Sequence, residues 1–429
     1  MSDYMYLLES LVNQEQNRLL TEVQSVAAEA GVAIYLTGGA MRDMLGGFPI
    51  TDLDFTFEEH APAKLAKLVS KRLPDAEFEE NAVSKTVEIR MPGGATGSLR
   101  MAHIETPAKG GGTPKVKAAH LLDDLRHRDF TVNAIAISLA KASRGLIRDP
   151  MNGQSDLHNR EIRLCYPAAF LDDPLRLLRT VRLRHRLNFQ IEERTERYFN
   201  SAMESGAAAE LGIADWRREL EMIADENQPS EILRELDTRH LLPVPGETLN
   251  LEGLAKFEKL RRMLPGRGSY WPLFLHVLVE ETKPKDRAKF ASLFGLKPAE
   301  LEEGKKLKPQ VTKLATALKA PAVRRPSHIY NTINPAPSSV ILYLLYESDQ
   351  RLIQDRLRNY LEKYLPEAGE ITDAQVEATG AKPGTAQFAR ARATLIAAKL
   401  NEPPPPPPLP PAGPIGASNA PSIPARISR

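Results

Sequence analysis

The chain is nearly free of thiols: Cys165 is the only cysteine in 429 residues. An internal disulfide framework is therefore excluded, and a reducing compartment fits the composition. Long apolar runs are absent as well, with nothing approaching the roughly 20 residues that a membrane helix needs. The opening MSDYMYLLESLVNQEQ has no basic start followed by an apolar stretch, so it does not read as a signal peptide. These absences lead us to expect a soluble cytoplasmic protein with no membrane partner. Net charge is small, at +2, so there is no global basic field and any nucleic-acid partner must meet local basic surfaces. The G-x-G-x-x-G and Walker A patterns, H-E-x-x-H, an H-D pair, a nucleophile elbow and a repeat of solenoid period are all missing.

What is present is ample apolar material, 42% of residues, and a length that suits two to four domains. Helical spacing runs over residues 3–30. A short apolar strand at 32–36 ends in Gly38-Gly39, a short helix follows at 40–46, and Asp52–Phe57 alternates as a strand. Helical spacing returns at 59–73. Strands are expected at 86–91 and 99–104 around a glycine-rich turn at 92–97. A glycine- and proline-containing loop at 109–114 interrupts this mixed unit. Beyond about residue 165 the pattern is almost wholly helical to about 400, and from Pro403 the chain is proline-rich and then small and polar, a composition expected to stay disordered or polyproline II.

The strand Asp52-Leu53-Asp54-Phe55-Thr56-Phe57 carries the chemistry. Side chains two apart share a face, so Asp52 and Asp54 project together while Leu53, Phe55 and Phe57 face the other way. Two carboxylates held this close repel unless a cation joins them. Their hard oxygens suit Mg²⁺, and two such ions about 3.5–4 Å apart can activate an attacking hydroxyl and stabilise a leaving pyrophosphate. Upstream, Gly38-Gly39 lies between strand and helix, where glycine lets the backbone approach phosphate and the first amides of the helix point at anions. Arg42, one turn on, can make a bidentate phosphate contact.

The stretch GGAMRDMLGGFPITDLDFTF resembles the signature of the polymerase-β-like nucleotidyltransferases of the bacterial and eukaryotic class: CCA-adding enzymes, CC- and A-adding relatives and bacterial poly(A) polymerases. The resemblance implies that Gly38, Gly39 and Arg42 cradle a triphosphate and that Asp52 and Asp54 are catalytic and bind metal. The stretch Asp124-Leu125-Arg126-His127-Arg128-Asp129 through Asn133 is similar to the family's second motif, with His127 in place of an arginine; it implies that Arg128 meets phosphate and Asn133 the ribose. D-P-x-x-G-x-x-D-L at 149–157 matches a turn in the family neck and reads as mainly structural. Asp172-Asp173-Pro174-Leu175-Arg176 matches the family's E/D-D-x-x-R motif.

In that last motif Asp173 and Arg176 stand three apart and can point the same way. A carboxylate beside a guanidinium matches the amino group and ring acceptor of cytosine or adenine, and mismatches uracil and guanine. Arg176, Arg179 and Arg182 recur on one helical face, with Leu175, Leu178 and Val181 beside it; the resemblance implies that Arg179 and Arg182 also bind nucleotide. Glu219-Leu220 matches part of a later family motif, though its arginines are spaced differently. Where the family often has a third carboxylate stands Ser98, with Glu88 and Glu105 as candidates.

The resemblance thus implies an α+β protein: a polymerase-β-like palm, a mixed sheet with helices, followed by all-α neck, body and tail. The expected division is a catalytic head at 1–145, a nucleotide-selecting neck at 146–240, a helical body at 241–320, a tRNA-binding helical tail at 321–401 and the proline-rich end at 402–429. The basic helix at 305–319 and the segment running from NYLEKY at 359–364 through Gly380, Pro383 and Gly384 are the expected tRNA-backbone contacts. The implied activity is template-independent addition of C, C and A to tRNA from CTP and ATP. CC- or A-addition and polyadenylation are the alternatives. The residues after Phe57, EEHAPAKLAKLVSKR, lack the glycine, basic pair and histidine-containing apolar run usual in poly(A) polymerases.

Overall fold

The computed structural model describes residues 3–58, 62–81, 86–106, 115–264 and 270–402. The loop read at 109–114 and the proline-rich end from 403 lie outside the described residues. The chain divides into two compact units, Met1–Arg262 with Gly266–Lys308, and Met263–Pro265 with Pro309–Arg429. The architecture is the expected one, an N-terminal mixed sheet followed by helices. No helix among the described residues is long and apolar enough to cross a membrane.

The first unit opens on nine strands: β1 (Ile34–Thr37), β2 (Asp52–Phe57), β3 (Glu77–Asn81), β4 (Thr86–Arg90), β5 (Thr96–Met101), β6 (His103–Thr106), β7 (Lys115–Ala118), β8 (Ala136–Ser138) and β9 (Ile147–Arg148). Seven form one sheet in the order β3-β4-β5-β2-β1-β8-β9, while β6 and β7 pair as a separate ribbon. The β2–β5 pair is parallel and the other pairs of the main sheet are antiparallel. Register sorts the side chains by face. Leu36, Phe55, Leu99 and Val87 stand opposite one another across four strands and are buried. Helix Gln14–Glu29 covers this apolar face, and Leu19 comes so close that a Cβ on Gly97 would lie 3.0 Å from it. The other face carries the polar rung Thr37, Asp54, Ser98 and Glu88. The sheet therefore has a dry side, which makes the core, and a chemical side.

Several local expectations need correction. Residues 3–30 are two helices, Asp3–Leu11 and Gln14–Glu29, because Asn13 caps the second through a reciprocal capping box with Gln16. The strand Glu77–Asn81 went unread because EFEEN is almost entirely polar; it is an edge strand, where polar residues are tolerated. The expected strand at 99–104 is the end of β5 and the start of β6, with the break at Ala102.

After β9 the first unit is helical apart from a two-residue parallel pair, Glu161–Ile162 with Gln190–Ile191. Helix Leu175–Leu187 buries Leu177, Leu178, Val181 and Leu187 on one side. Helix Ile213–Asp225 buries Trp216, Glu219, Leu220 and Ile223. The second unit is all helical over its described residues. Its C-terminal end packs Ile371, Val376, Ile396 and Leu400 together, and Gly380 and Gly384 take the positive φ values, 84° and 75°, that the turn before helix Ala386–Leu400 requires.

Candidate active site

The alternation on β2 holds: Leu53, Phe55 and Phe57 are fully buried, and Asp52 and Asp54 project from the opposite face. Each carboxylate is steadied by a hydroxyl from the neighbouring strand β5. Thr96 donates to Oδ1 of Asp52, and Ser98 donates to Oδ1 of Asp54 at 2.6 Å. Neither Oδ2 takes a hydrogen bond from a described residue, so both remain as hard oxygen donors for a cation. Among the described residues no group of three acidic, histidine or cysteine side chains is placed to hold a metal ion. Register explains this. Glu88 is opposite Ser98, two strands from Asp54 and so about 9–10 Å away. Glu105 instead lies 3.0 Å from Nε2 of His103 on the ribbon.

Gly38 takes a left-handed φ of 69° at the start of helix Gly39–Gly46. A Cβ there would stand 3.3 Å from both Oδ2 of Asp54 and a guanidinium nitrogen of Arg128. The glycine thus leaves an opening between an acid and a cation of the site, which any side chain would narrow.

The arginines of the motifs are held in a connected network. Arg42 is buried; it bonds Asp43 at 2.8 Å and donates to Oδ1 of Asn133 at 2.8 Å. Burial, partly offset by Asp43, lowers its pKa from the usual guanidinium value. Arg186 also approaches Asp43, at 3.4 Å. Asn133 in turn donates to Asp129 at 3.0 Å, and Asp129 faces Arg179 at 3.6 Å. Burial opposes ionisation of Asp129, but Arg179 and Arg176 outweigh it and hold the carboxyl below its ordinary range. The helix after Gly38, the turn Thr131–Asn133 and helix Leu175–Leu187 are therefore linked through Arg42, Asn133, Asp129 and Arg179.

A second hub is Asp124, buried and bonded by Arg128 at 2.8 Å and Arg100 at 2.5 Å. Burial alone would raise its pKa; Arg128 and Arg100 overcome that and pull it to about 2. Arg128 also donates to Thr37 Oγ1 at 3.1 Å and to the carbonyl of Asn133 at 3.1 Å. Sequence reasoning did not single out Asp124 or Arg100. The i, i+4 spacing of Asp124 and Arg128 was the available signal.

Asp173 and Arg176 meet as their spacing implies, Oδ2 to Nε at 3.5 Å. Asp173 also accepts the amide of Leu175 at 3.1 Å. The Arg176 guanidinium is fixed from below: Nη1 donates to the Tyr166 hydroxyl at 2.9 Å, Nη2 to the His127 carbonyl at 3.3 Å, and the Tyr166 ring centroid lies 5.4 Å away. Nε is buried without a hydrogen-bond partner. The His127 ring rests against Tyr166 at 5.8 Å between centroids. Tyr166 was not read from the sequence, since a lone tyrosine outside a motif carries no signal.

Arg182 is differently placed. It donates to Glu219 at 2.6 Å and to Glu226 at 3.2 Å, in a largely buried cluster. Glu219, the matching acid of the later motif, thereby gains a definite role in holding the arginine helix. In the neck turn, Asp149 accepts the amides of Gly153 and Gln154 at 2.7 and 3.0 Å, and Asp156 accepts from Thr131 and Arg163, the structural role expected of both. Cys165 is buried and its thiol is pushed up by burial.

All eleven residues proposed from the sequence border two adjoining cavities. A cleft of about 740 Å³ is lined by Gly38, Arg128, Asp173 and Arg176, and a smaller one of about 180 Å³ by Asp52, Asp54 and Arg182; Gly39, Arg42, Asn133 and Arg179 line both. A third cavity, about 300 Å³, opens on the other flank of Asp54 between Ser98, Glu88, Arg100 and Arg218. The arrangement offers paired carboxylates, a glycine-lined helix start and a cleft roomy enough for a small organic ligand, with an acid beside a guanidinium on its wall.

Comparison with known proteins agrees with this geometry. Residues 34–163 match the family model described as the poly(A) polymerase head domain. The A-adding tRNA nucleotidyltransferase of Halalkalibacterium halodurans is 30% identical over 272 residues, 62% of this chain and 62% of the relative. The multifunctional CCA protein of Nitrosococcus oceani is 33% identical over 212 residues, 47% of this chain and 48% of the relative. Each alignment thus spans less than two thirds of the relative's length. A solved tRNA-processing enzyme with CTP superposes with a TM-score of 0.53 at 25% identity, covering 89% of this chain and 100% of that one. The acid pair, the Gly38-Gly39 helix start and the Asp173–Arg176 pair thus surround two adjoining cavities, in a chain that matches the poly(A) polymerase head domain over residues 34–163 and is similar to tRNA nucleotidyltransferases over part of its length.

Proposed function

We propose that the protein adds C, C and A to the 3′ end of tRNA, without a nucleic-acid template, from CTP and ATP. The observation that carries this is the β2 acid pair and the acid–guanidinium pair on adjoining cavities that share Gly39, Arg42, Asn133 and Arg179 in their walls. The names of the relatives and of the solved neighbour support the substrates: tRNA, CTP and single-nucleotide addition.

In this reading the terminal ribose hydroxyl of the RNA attacks the α-phosphorus of the nucleotide, a new P–O bond forms, the bond to the β-phosphate oxygen breaks, and pyrophosphate leaves. Gly38, Gly39, Arg42 and Arg179 receive the triphosphate, with Arg128 beside them and Asn133 near the ribose. Arg182 holds the helix that presents Arg179. Asp173 and Arg176 select cytosine and adenine. The donor set of Asp52 and Asp54, two free carboxylate oxygens steadied by hydroxyls, fits Mg²⁺, which when bound would lower the pKa of the attacking hydroxyl and stabilise the leaving group. The head at 1–145 would do the chemistry, the neck at 146–240 the selection, and the helical body and tail would hold tRNA, all in the cytoplasm.

The test is to incubate the purified protein with tRNAs lacking CCA, CA or A, with CTP, ATP or both, and resolve products by length. Extension through C, C and A supports the reading. Extension of only the tRNA that lacks the terminal A indicates A-addition, the activity named for the Halalkalibacterium relative, and long adenosine tails indicate polyadenylation. No extension refutes nucleotidyltransfer to tRNA.

A further inference from the structure

The arginines around the site are unequal in one respect. Those of the two hubs and of helix Leu175–Leu187 that line the cavities each face a carboxylate: Arg42 and Arg186 face Asp43, Arg100 and Arg128 face Asp124, Arg179 faces Asp129, and Arg182 faces Glu219. Arg218 has no ion-pair or hydrogen-bond partner among the described residues, although it borders both the 740 Å³ cleft and the 300 Å³ cavity. Helix geometry puts it there. Trp216, Leu220 and Ile223 make the buried face of helix Ile213–Asp225, and at 100° per residue Arg218 stands about 200° from Trp216. Glu210 and Asp215 share the cleft wall without pairing to it.

The cavity that Arg218 borders lies on a particular side of Asp54. One flank of Asp54 holds Gly39, Arg42, Arg179 and Arg182, the triphosphate side. The other holds Ser98, Glu88, Arg100 and Arg218, is reached by Arg128 from the larger cleft, and holds neither of the paired glycines. An in-line displacement needs its nucleophile and its leaving group on opposite sides of the phosphorus. If the leaving pyrophosphate is on the glycine flank, the attacking hydroxyl comes from the Ser98 flank.

We propose that this second flank receives the 3′ end of the acceptor RNA and that Arg218 binds a backbone phosphate next to its terminal ribose. An arginine with no internal carboxylate to leave is suited to a charge-assisted contact with a phosphate oxygen. The assignment rests on the nucleotidyltransfer reading above.

The experiment compares wild type, Arg218→Ala and Arg218→Lys, using a tRNA transcript that lacks its last nucleotide, with ATP. The expected result for Arg218→Ala is a KM for the tRNA raised about tenfold, a KM for ATP within about twofold of wild type and an unchanged melting temperature. The slope of log Kd for the tRNA against log salt should become shallower by about 0.7, one phosphate contact on a single strand. Arg218→Lys should recover part of the loss. A raised KM for ATP with an unchanged KM for tRNA would assign Arg218 to the triphosphate and overturn the proposal, as would an unchanged KM for both. If wild type itself fails to extend the tRNA, the functional reading fails; if wild type extends it and the variant is indistinguishable, only the role of Arg218 fails.

Discussion

Arg182 reaches from the middle of helix Leu175–Leu187 to Glu219, 2.6 Å away on helix Ile213–Asp225, and a second acid, Glu226, closes on the same guanidinium at 3.2 Å. Family likeness alone would put Arg182 among the nucleotide ligands, yet its side chain is only 11% exposed, against 29% for Arg179. The two should separate by experiment. Arg182→Ala leaves two buried carboxylates without a cation and should cost about 3–5 kcal/mol of stability. Arg179→Ala should cost less, because Asp129 keeps the hydrogen bond from Asn133 and the charge of Arg176, and should raise the KM for nucleotide. Denaturation by urea with parallel kinetics checks both; equal midpoints for the two variants would contradict this division of labour.

Base choice should depend on how Arg176 is held as well as on Asp173. Asp173→Ala removes the acceptor and should relax discrimination against UTP by about tenfold or more, as expected for loss of one bidentate base contact. Tyr166→Phe keeps the ring under the guanidinium but removes the hydroxyl that accepts from Nη1 at 2.9 Å. It should produce the same change in smaller degree, read as the ratio of kcat/KM for CTP and UTP. Discrimination equal to wild type in both variants would remove this pair from base selection.

The β2 acids should matter to catalysis and little to folding. Asp52 is exposed and its only described side-chain partner is the Thr96 hydroxyl. Asp52→Ala should reduce transfer of either nucleotide by about 10³-fold or more, since metal assistance contributes several kcal/mol to such steps. The melting temperature should stay within a degree or two of wild type, roughly the scatter of a surface substitution. Retained transfer would place the metals elsewhere.

Acid should loosen the site through Asp124. Its folded pKa, about 2, lies below the ordinary 3.8. The sign follows from linkage: a lowered carboxylate pKa stabilises the fold above the unfolded value, and that contribution fades as pH falls through the folded one. It should amount to about 2 kcal/mol at neutral pH and decline between about pH 4 and pH 2. Urea midpoints at pH 6 and pH 3 should therefore differ more for wild type than for Asp124→Asn, and equal pH slopes would refute the assignment.

Gly153 should be irreplaceable for reasons of contact. A Cβ there would lie 2.1 Å from the carbonyl oxygen of Thr131 and 3.0 Å from Ile135. Backbone must move to admit it. Gly153→Ala should cost about 1–3 kcal/mol, in the range of overpacked cores. It should also lower activity, because Thr131 belongs to the turn that carries Asn133 to Arg42. Thermal melting together with the extension assay checks this.

The acid pair was readable because strand alternation is a strict rule: once Asp52–Phe57 is a strand, the faces of Asp52, Asp54 and Phe55 follow. Asp173 and Arg176 were readable as a motif, although the helical spacing was not the reason they meet: Asp173 is extended, at φ −145°, just ahead of helix Leu175–Leu187, and its carboxylate turns back to accept the Leu175 amide. The partners were harder. Nothing in the sequence ties Arg182 to Glu219, 37 residues on, or Arg100 to Asp124, because those pairs are made by packing between separate elements. The edge strand Glu77–Asn81 was hidden by its own polarity, and the break at Asn13 by apolar spacing that continues across it.

The Asp124 and Asp43 hubs have a kinetic corollary. Four cavity-lining guanidiniums already hold internal counter-ions, so an incoming polyanion trades one set of partners for another. Such a trade returns less free energy than neutralising a bare cation would, because the displaced carboxylates are left to be resolvated or re-paired. Ground-state grip on a polyanion is thereby weakened, and under the proposed nucleotidyl transfer this would favour fast dissociation of a finished RNA and of pyrophosphate and leave room for tighter contacts that develop only as the reaction proceeds.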